Sequence, residues 1–527
     1  MNGFQGALFI NSCCITNTDK KAVDVTDISI NIKIFEDINQ PFLSGRITLI
    51  DGVNLLKNYK FTGQESITID VSQAIIKEGK IAKATKANSI RHTFRIYSIT
   101  DVNRNYHNSY QTYVLHFCDP RKILCDRKKI SQVMRNSYSE MLLQTLQEHA
   151  DLKELPESGT DYWDESEPQH MQLVVPNWSV AKFIQFIVNN AEYKGNKSWK
   201  QSMFFYQCMN KGENMDNGGF RFSSFQSMMR REFPKQFNYA FYNEENSNPE
   251  IDEATDSETM SIGLDTQVLA MYVPQRVNTM HGYNNGAYAG TVRAFDPVRK
   301  VLEESTYSID DVFKTNEKQT HVSGFPMIRQ EVETTYESDF PPNDDEPETK
   351  SIHEAISPEL DFEQNIDYRV SMTNAYSDEP KLIDADNKKI IQQIGMEYKD
   401  ANHLERQALL SFMDQSTMRM KIPFRSDISV GTCIQVNIPE PEQMMQDGVT
   451  PEGDVAYDGK YLITRIAYGI DAARGRGVLD IECVKESLGV DLTTENDYTK
   501  LLDGVKLSYD WEENPAKYKL DGGPNDF

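Results

Sequence analysis

GQESITIDV at residues 63–71 is followed by FRIYSITDV at residues 94–102 and YVLHF at residues 113–117. Far along the chain the same order returns, as GTCIQVNIP at residues 431–439, YLITRIAYGI at residues 461–470 and GVLDIEC at residues 477–483. Each block reads as strand, glycine, strand, long loop, strand, turn, strand. Gly63 and Gly431 open corresponding strands, and the strand after each loop carries an I-x-x-I signature, Ile96 with Ile99 and Ile463 with Ile466. Alternation of period two is generic to half-buried strands, so two unrelated β units would also show it. Order and spacing together favour a duplication. The expected architecture is a pair of similar antiparallel β-barrels, with Ile67, Ile69, Ile434 and Val436 in their cores.

The rest of the chain fits around these blocks. Ile28, Ile30, Ile32 and Ile34 alternate with polar residues, which places four isoleucines on one face of a strand. Pro41 and Gly45 punctuate before RITLID, so residues 23–118 predict five or more short strands. The period then changes. Ser137 and Glu140 form a capping box ahead of MLLQTLQEHA, and Phe183, Phe186 and Ile187 mark a second helix after Asn177. MFFYQC at residues 203–208 and GGFRFSSF at residues 218–225 flank a Gly- and Asn-rich stretch and predict a hairpin. Residues 243–259 and 331–350 are acidic and read as solvated loops. Between them QVLAMYVPQRVN and GAYAGTVRAFD predict strands of a small separate domain. Residues 386–413 carry a helical pattern through Ile390, Ile391, Ile394, Leu404, Leu409 and Phe412.

The chain has 527 residues and a net charge of −25, from 55 basic and 80 acidic side chains. Such a surplus of acid argues against sequence-independent binding of nucleic acid, which requires cations to neutralise phosphates. No apolar run approaches the roughly 18 residues of a membrane helix, so no membrane insertion is expected. Met1 to Cys13 contains no Lys or Arg, which does not fit a secretion signal. The seven cysteines are scattered and read as reduced, buried thiols; His116, Cys118 and Cys125 come nearest to a metal set but lack a second close pair. The motifs of zincins, phosphate loops, hydrolase elbows, dinucleotide folds and EF-hands are absent, so no cofactor and no catalytic residue is expected. Carboxylates are abundant, and a carbohydrate-active enzyme using a pair of them is the alternative reading.

The two long loops carry opposite charge. Residues 72–90 hold Lys77, Lys80, Lys83 and Lys86 against the single Glu78. Residues 439–458 hold Glu440, Glu442, Asp447, Glu452, Asp454 and Asp458 without a base.

The chain resembles the baseplate central hub protein of contractile-tailed bacteriophages, a family related to the hub part of type VI secretion spikes. ISINIKIFEDINQPFLSGRITLIDG near the start, VVPNWSVAKFIQFIVNNA ahead of the hairpin, GAYAGTVRAFDPVRK, and GKYLITRIAYGID with GVLDIECVKES carry the resemblance. It implies a non-enzymatic structural protein of α+β, mainly β class, with two tail-tube-like barrels. It also implies a homotrimer forming a pseudo-sixfold ring that adapts a sixfold tail tube to a threefold central spike. The implied partners are further copies of the chain, the central spike protein and the tail tube protein, with baseplate wedge proteins and the tape measure as neighbours. DNA is implied only as transiting cargo, past walls that the net acidity would keep repulsive. The implied location is the virion tail baseplate, assembled in the host cytoplasm. On this reading residues 1–125 are the first barrel and 126–201 a helical α+β domain. Residues 202–239 with 414–487 are a discontinuous second barrel, 240–413 an insertion with acidic loops, and 488–527 a polar arm. In an alternating ring, Lys77, Lys80, Lys83 and Lys86 would face Glu440, Glu442, Asp447 and Asp454 of the neighbouring barrel.

Overall fold

The computed structural model describes residues 7–59, 61–77, 80–83, 89–105, 110–152, 162–167, 171–194, 202–209, 219–238, 268–275, 417–438 and 459–485. It also describes short strands at 289–296, 301–308, 325–326, 367–372, 381–383, 390–392 and 487–488, and helical positions between 406 and 413. Among these residues the protein is mainly β, and no helix is long and apolar enough to cross a membrane.

The first block supplies β1 (Leu8–Thr16), β2 (Ala22–Asp24), β3 (Ser29–Asp37), β4 (Ser44–Asp51), β5 (Ser66–Lys77), β6 (Lys80–Lys83), β7 (Ser89–Asn105) and β8 (Tyr110–Cys118). Ile32 and Ile34 are buried as expected. The four isoleucines do not all share that face, because β3 carries an extra residue between Ser29 and Asn31. Ser29 takes the buried place and donates to the Val25 carbonyl at 2.6 Å, leaving Ile30 half-buried. The expected loop at 72–90 is largely strand. β5 continues through Ala74, Ile75 and Ile76 and folds back on β6, with Ala74 opposite Lys83 and Lys77 opposite Lys80.

A middle unit follows, made of α1 (Pro120–Arg127), β9 (Lys129–Asn136), α2 (Tyr138–His149), β10 (Met171–Ser179), α3 (Val180–Asn190), β11 (Met203–Gln207), β12 (Phe220–Ser224) and α4 (Phe225–Arg230). The helix starts have local causes. Asp119, Ser137 and Ser179 each accept a hydrogen bond from a backbone amide in the first turn that would otherwise lack a partner. The β11–β12 hairpin pairs only with itself in a ladder, yet every residue of both strands is buried. Its alternating side chains serve two cores: Met203, Phe205, Phe220 and Phe222 pack with the middle unit around Trp163, whereas Phe204 and Tyr206 pack into the core of the large sheet.

The last block supplies β13 (Glu232–Asn238), β14 (Ala270–Gln275), β15 (Thr417–Pro423), β16 (Cys433–Asn437), β17 (Gly459–Asp471) and β18 (Arg476–Lys485). These strands and the first eight form one sheet of 14 strands. Its main path runs β14-β15-β18-β17-β3-β4-β8-β7-β5-β1-β2, with β6 on β5 and with β16 between β13 and β17. The separate strands Ala289–Asp296, Val301–Ser308 and Asp367–Met372 form a three-stranded sheet. Of the helix expected over 386–413, the described residues show Arg406, Leu409, Leu410 and Met413 helical, and the rest outside 390–392 falls outside the described residues. Ile390–Gln392 is a strand paired with Lys381–Ile383, in keeping with the β preference of adjacent isoleucines.

The ladders of the two blocks superpose residue by residue. Arg95 lies opposite Ser66 and Cys118, and Leu462 lies opposite Cys433 and Val484. Leu49 lies opposite Tyr113, and Ile422 lies opposite Leu479. The order β3-β4-β8-β7-β5 thus matches β14-β15-β18-β17-β16. Gly63 and Gly431 both adopt left-handed φ, +78° and +74°, where the chain turns into β5 and β16. At Gly431 an added Cβ would lie 2.0 Å from the Tyr206 hydroxyl. The I-x-x-I signature also gains a cause. β7 bulges between Ile96 and Ser98, and β17 between Ile463 and Arg465. A bulge puts residues three apart on one face, so Ile463 and Ile466 are both buried. The match ends at β1 and β13, which pair antiparallel with β5 and parallel with β16 respectively.

Ile67, Ile69, Ile434 and Val436 are all buried, at 0–1% exposure. Ile69→Ala and Ile434→Ala should each lower stability by roughly 2–5 kcal/mol. Wild-type unfolding midpoints in both variants would refute the strand assignment.

Candidate interaction site at the joint between the repeats

The two repeats meet where β17 changes partner. Its first half pairs with β16, ending at Ile463, whose amide donates to the Thr432 carbonyl at 3.0 Å. At the bulge the strand passes to β3: the Ile38 amide donates to the Thr464 carbonyl at 3.1 Å, and the ladder runs from Arg465 opposite Asp37 to Asp471 opposite Asn31. A sheet edge that would otherwise present unpaired amides and carbonyls is closed within the chain.

Both faces of this joint carry polar locks. On the inner face Glu36 is 2% exposed. Its carboxylate accepts from the Met209 amide at 2.5 Å, the Tyr468 hydroxyl at 3.0 Å and the Val430 amide at 3.2 Å. Three segments are therefore tied to β3 through one side chain. Burial pushes the Glu36 carboxyl up to about 7, against the opposing pull of those hydrogen bonds. Tyr468 also lies 3.1 Å from the Ile428 carbonyl, so its hydroxyl can turn its proton there and accept one from a protonated Glu36.

On the outer face Arg465 donates to Asp37 at 2.8 Å and to Glu482 at 3.0 Å, and Arg419 donates to Glu482 at 3.0 Å. This row of alternating charge spans β3, β17, β18 and β15. It lines a groove of about 780 Å3, which Phe35, Phe42 and Tyr272 also border. The Arg465 side chain is 49% exposed, so its pairs contribute little to stability. Arg465→Ala should cost no more than about 1 kcal/mol in chemical denaturation, and less as salt rises. A larger loss would show a role beyond surface pairing.

Asp37 and Glu482 share one guanidinium, and the Glu36 carboxyl, which burial pushes up, is sealed inside. Among the described residues no group of three or more His, Cys, Asp or Glu side chains is placed to hold a metal. His116 bonds Thr100 at 2.9 Å, and six of the seven free cysteines are buried.

Of the charged residues singled out in the sequence, Lys77, Lys80 and Lys83 lie on the β5–β6 hairpin by backbone position. Lys86, Glu440, Glu442, Asp447 and Asp454 fall outside the described residues. Sequence reasoning missed Glu36, Tyr468, Asp37 and Arg465. The signal for the first two was parity: Glu36 is in step with Ile32 and Ile34, and Tyr468 with Ile466 and Ile470.

No family model and no curated protein matches the chain. Among solved structures, it is similar to a tail protein from Neisseria meningitidis MC58 (TM-score 0.42, 8% identity, covering 90% of this chain and 96% of that one). It is also similar to the 43 kDa tail protein of prophage MuSo2 from Shewanella oneidensis (TM-score 0.42, 8% identity, 90% and 98% covered). A Francisella PdpA-VgrG complex gives a TM-score of 0.38 at 10% identity, with 94% of this chain and 61% of that one covered.

Proposed function

We propose that the protein is a structural, non-enzymatic hub of a phage-type tail baseplate. It would form a homotrimeric ring in which each chain supplies two tube-like units, adapting a sixfold tail tube to a threefold central spike. The carrying observation is the repeat joined edge to edge: two five-stranded units with matching registers occupy successive places along one sheet. Two equivalent units per chain make a sixfold arrangement out of three chains. The resemblance of the quoted sequence pieces to baseplate hubs supports the same reading. The partners proposed with it are the tube and spike proteins, and the location proposed is the virion. The net charge of −25 suits a ring that lets DNA pass, because an acidic wall repels phosphates instead of binding them.

Mass measurement on the purified chain, with and without tube and spike proteins, tests the proposal. A trimer, or co-purification with those proteins, is expected. A monomer at every concentration that recruits neither would overturn it.

A further inference from the structure

The duplication leaves one position filled and its counterpart open. In the second repeat, the half of β17 beyond its bulge pairs with β3. In the first repeat, β7 leaves β5 at the corresponding rung, where the Ile96 amide donates to the Glu65 carbonyl at 2.9 Å. Beyond that rung, from Tyr97 to Asn105, β7 has β8 on one side and no strand on the other among the described residues. The counterpart of β3 is β14, which among the described residues pairs with β15 alone and ends the sheet. Each repeat unit therefore has a donor half-strand and an acceptor strand, and one of each is unused.

We infer that the open half of β7 pairs antiparallel with β14 of a second copy of this chain, repeating the internal joint. The inference rests on the ring reading and specifies its contact. The register follows from the ladders already described. Thr100 and Asn103 occupy the rungs of Ala467 and Gly469, and Gln275 and Tyr272 occupy those of Phe35 and Lys33. The predicted rungs are Thr100 opposite Gln275, Asn103 opposite Tyr272, Arg104 opposite Met271 and Asn105 opposite Ala270.

Two independent features fit this register. Compared with its counterpart, β7 has one extra residue between Thr100 and Asn103, and β14 has one extra between Tyr272 and Gln275. The two insertions fall on the same rung of the predicted ladder. A lone insertion would throw the side chains beyond it onto the wrong face, whereas opposed insertions keep both strands in step. The second feature is exposure: Tyr97 (54%), Val102 (49%), Leu269 (39%) and Tyr272 (62%) are large apolar side chains left in solvent on or beside these two strands. The contact is head-to-tail, so it closes a ring only if the rotation per step allows, as with any heterologous interface.

Engineered disulfides test it. The Lys33 and Gly469 rung is a non-hydrogen-bonded pair, since the Ile38–Thr464 and Ala472–Ile30 bonds fix the alternate rungs as bonded. Asn103 and Tyr272 would inherit that close spacing, about 4.5 Å between Cα atoms, which suits a disulfide. The Asn103→Cys/Tyr272→Cys double variant should crosslink into covalent oligomers under mild oxidation. Each single variant, and the off-register pair Val53→Cys/Tyr272→Cys, should not. An oligomer by sedimentation that the double variant fails to crosslink would overturn the β7–β14 contact while leaving the ring reading intact. A monomer by sedimentation in all variants and in the parent would overturn the ring reading itself.

Discussion

Glu36→Ala should be among the most damaging single substitutions in this protein. It leaves the Met209 and Val430 amides buried without an acceptor. At roughly 1–3 kcal/mol for each such group, the two together cost about 2–6 kcal/mol before any cavity is counted. The same side chain makes stability depend on pH, and the sign is opposite to that of an ion-paired carboxylate whose pKa folding lowers. The folded carboxyl has its pKa near 7 against an ordinary value of 4.5, so the native state holds a proton that the unfolded chain has released. Native protein then binds more protons than unfolded protein across this interval, and stability falls as pH rises from about 4.5 to about 7. Protonation is accommodated by the relay through Tyr468 to the Ile428 carbonyl. Glu36→Gln, which keeps the shape and cannot ionise, should flatten the profile in that interval. Urea denaturation at half-unit pH steps is the measurement, and a wild-type slope retained in the glutamine variant would assign the effect elsewhere.

Trp163→Ala should cost roughly 3–5 kcal/mol through the cavity it leaves. The indole is 0% exposed and meets Phe205 at 6.1 Å and Phe222 at 5.6 Å between ring centroids. Those rings stand on the β11–β12 hairpin, whose other face enters the large sheet's core through Phe204 and Tyr206. Loss of the indole is therefore expected to loosen the hairpin and reach the joint, because Met209 lies two residues after the end of β11 and donates to Glu36. Hydrogen exchange should show reduced protection in β11 and β12 and at Met209, with β4 and β8 little changed. Uniform protection loss across the sheet would instead mark global unfolding.

Much of this was legible in the sequence. Alternation located most strands of both repeats, the capping box at Ser137 located α2, and the spacing of Phe183, Phe186 and Ile187 located α3. I-x-x-I was visible as a repeat marker before its cause, a conserved irregularity of pairing within both units, could be read. What failed did so for physical reasons. Ile390 and Ile391 have the spacing of a helix and the preference of a strand, and pairing with Lys381–Ile383 decided the matter. The lysines of residues 72–90 hid a strand, because a run of charge reads by default as a solvated loop. The joint was invisible because its partners, Asp37 and Arg465, are 428 residues apart. A single polar residue in an apolar run, Glu36, gives its place away by parity but not its three donors.

That separation also bears on how the chain is made. β3 emerges early and pairs with β4, but its second edge stays bare until β17 has been synthesised. At translation speeds of roughly 5–20 residues per second, the wait lasts about 20–90 s. For that time a nascent chain on the ribosome carries a strand edge of the kind that joins one polypeptide to another, and neighbouring ribosomes on one message hold identical edges close by. Premature pairing between nascent chains is thus the characteristic hazard of this topology. Messages truncated before residue 459 should yield aggregates rather than soluble fragments.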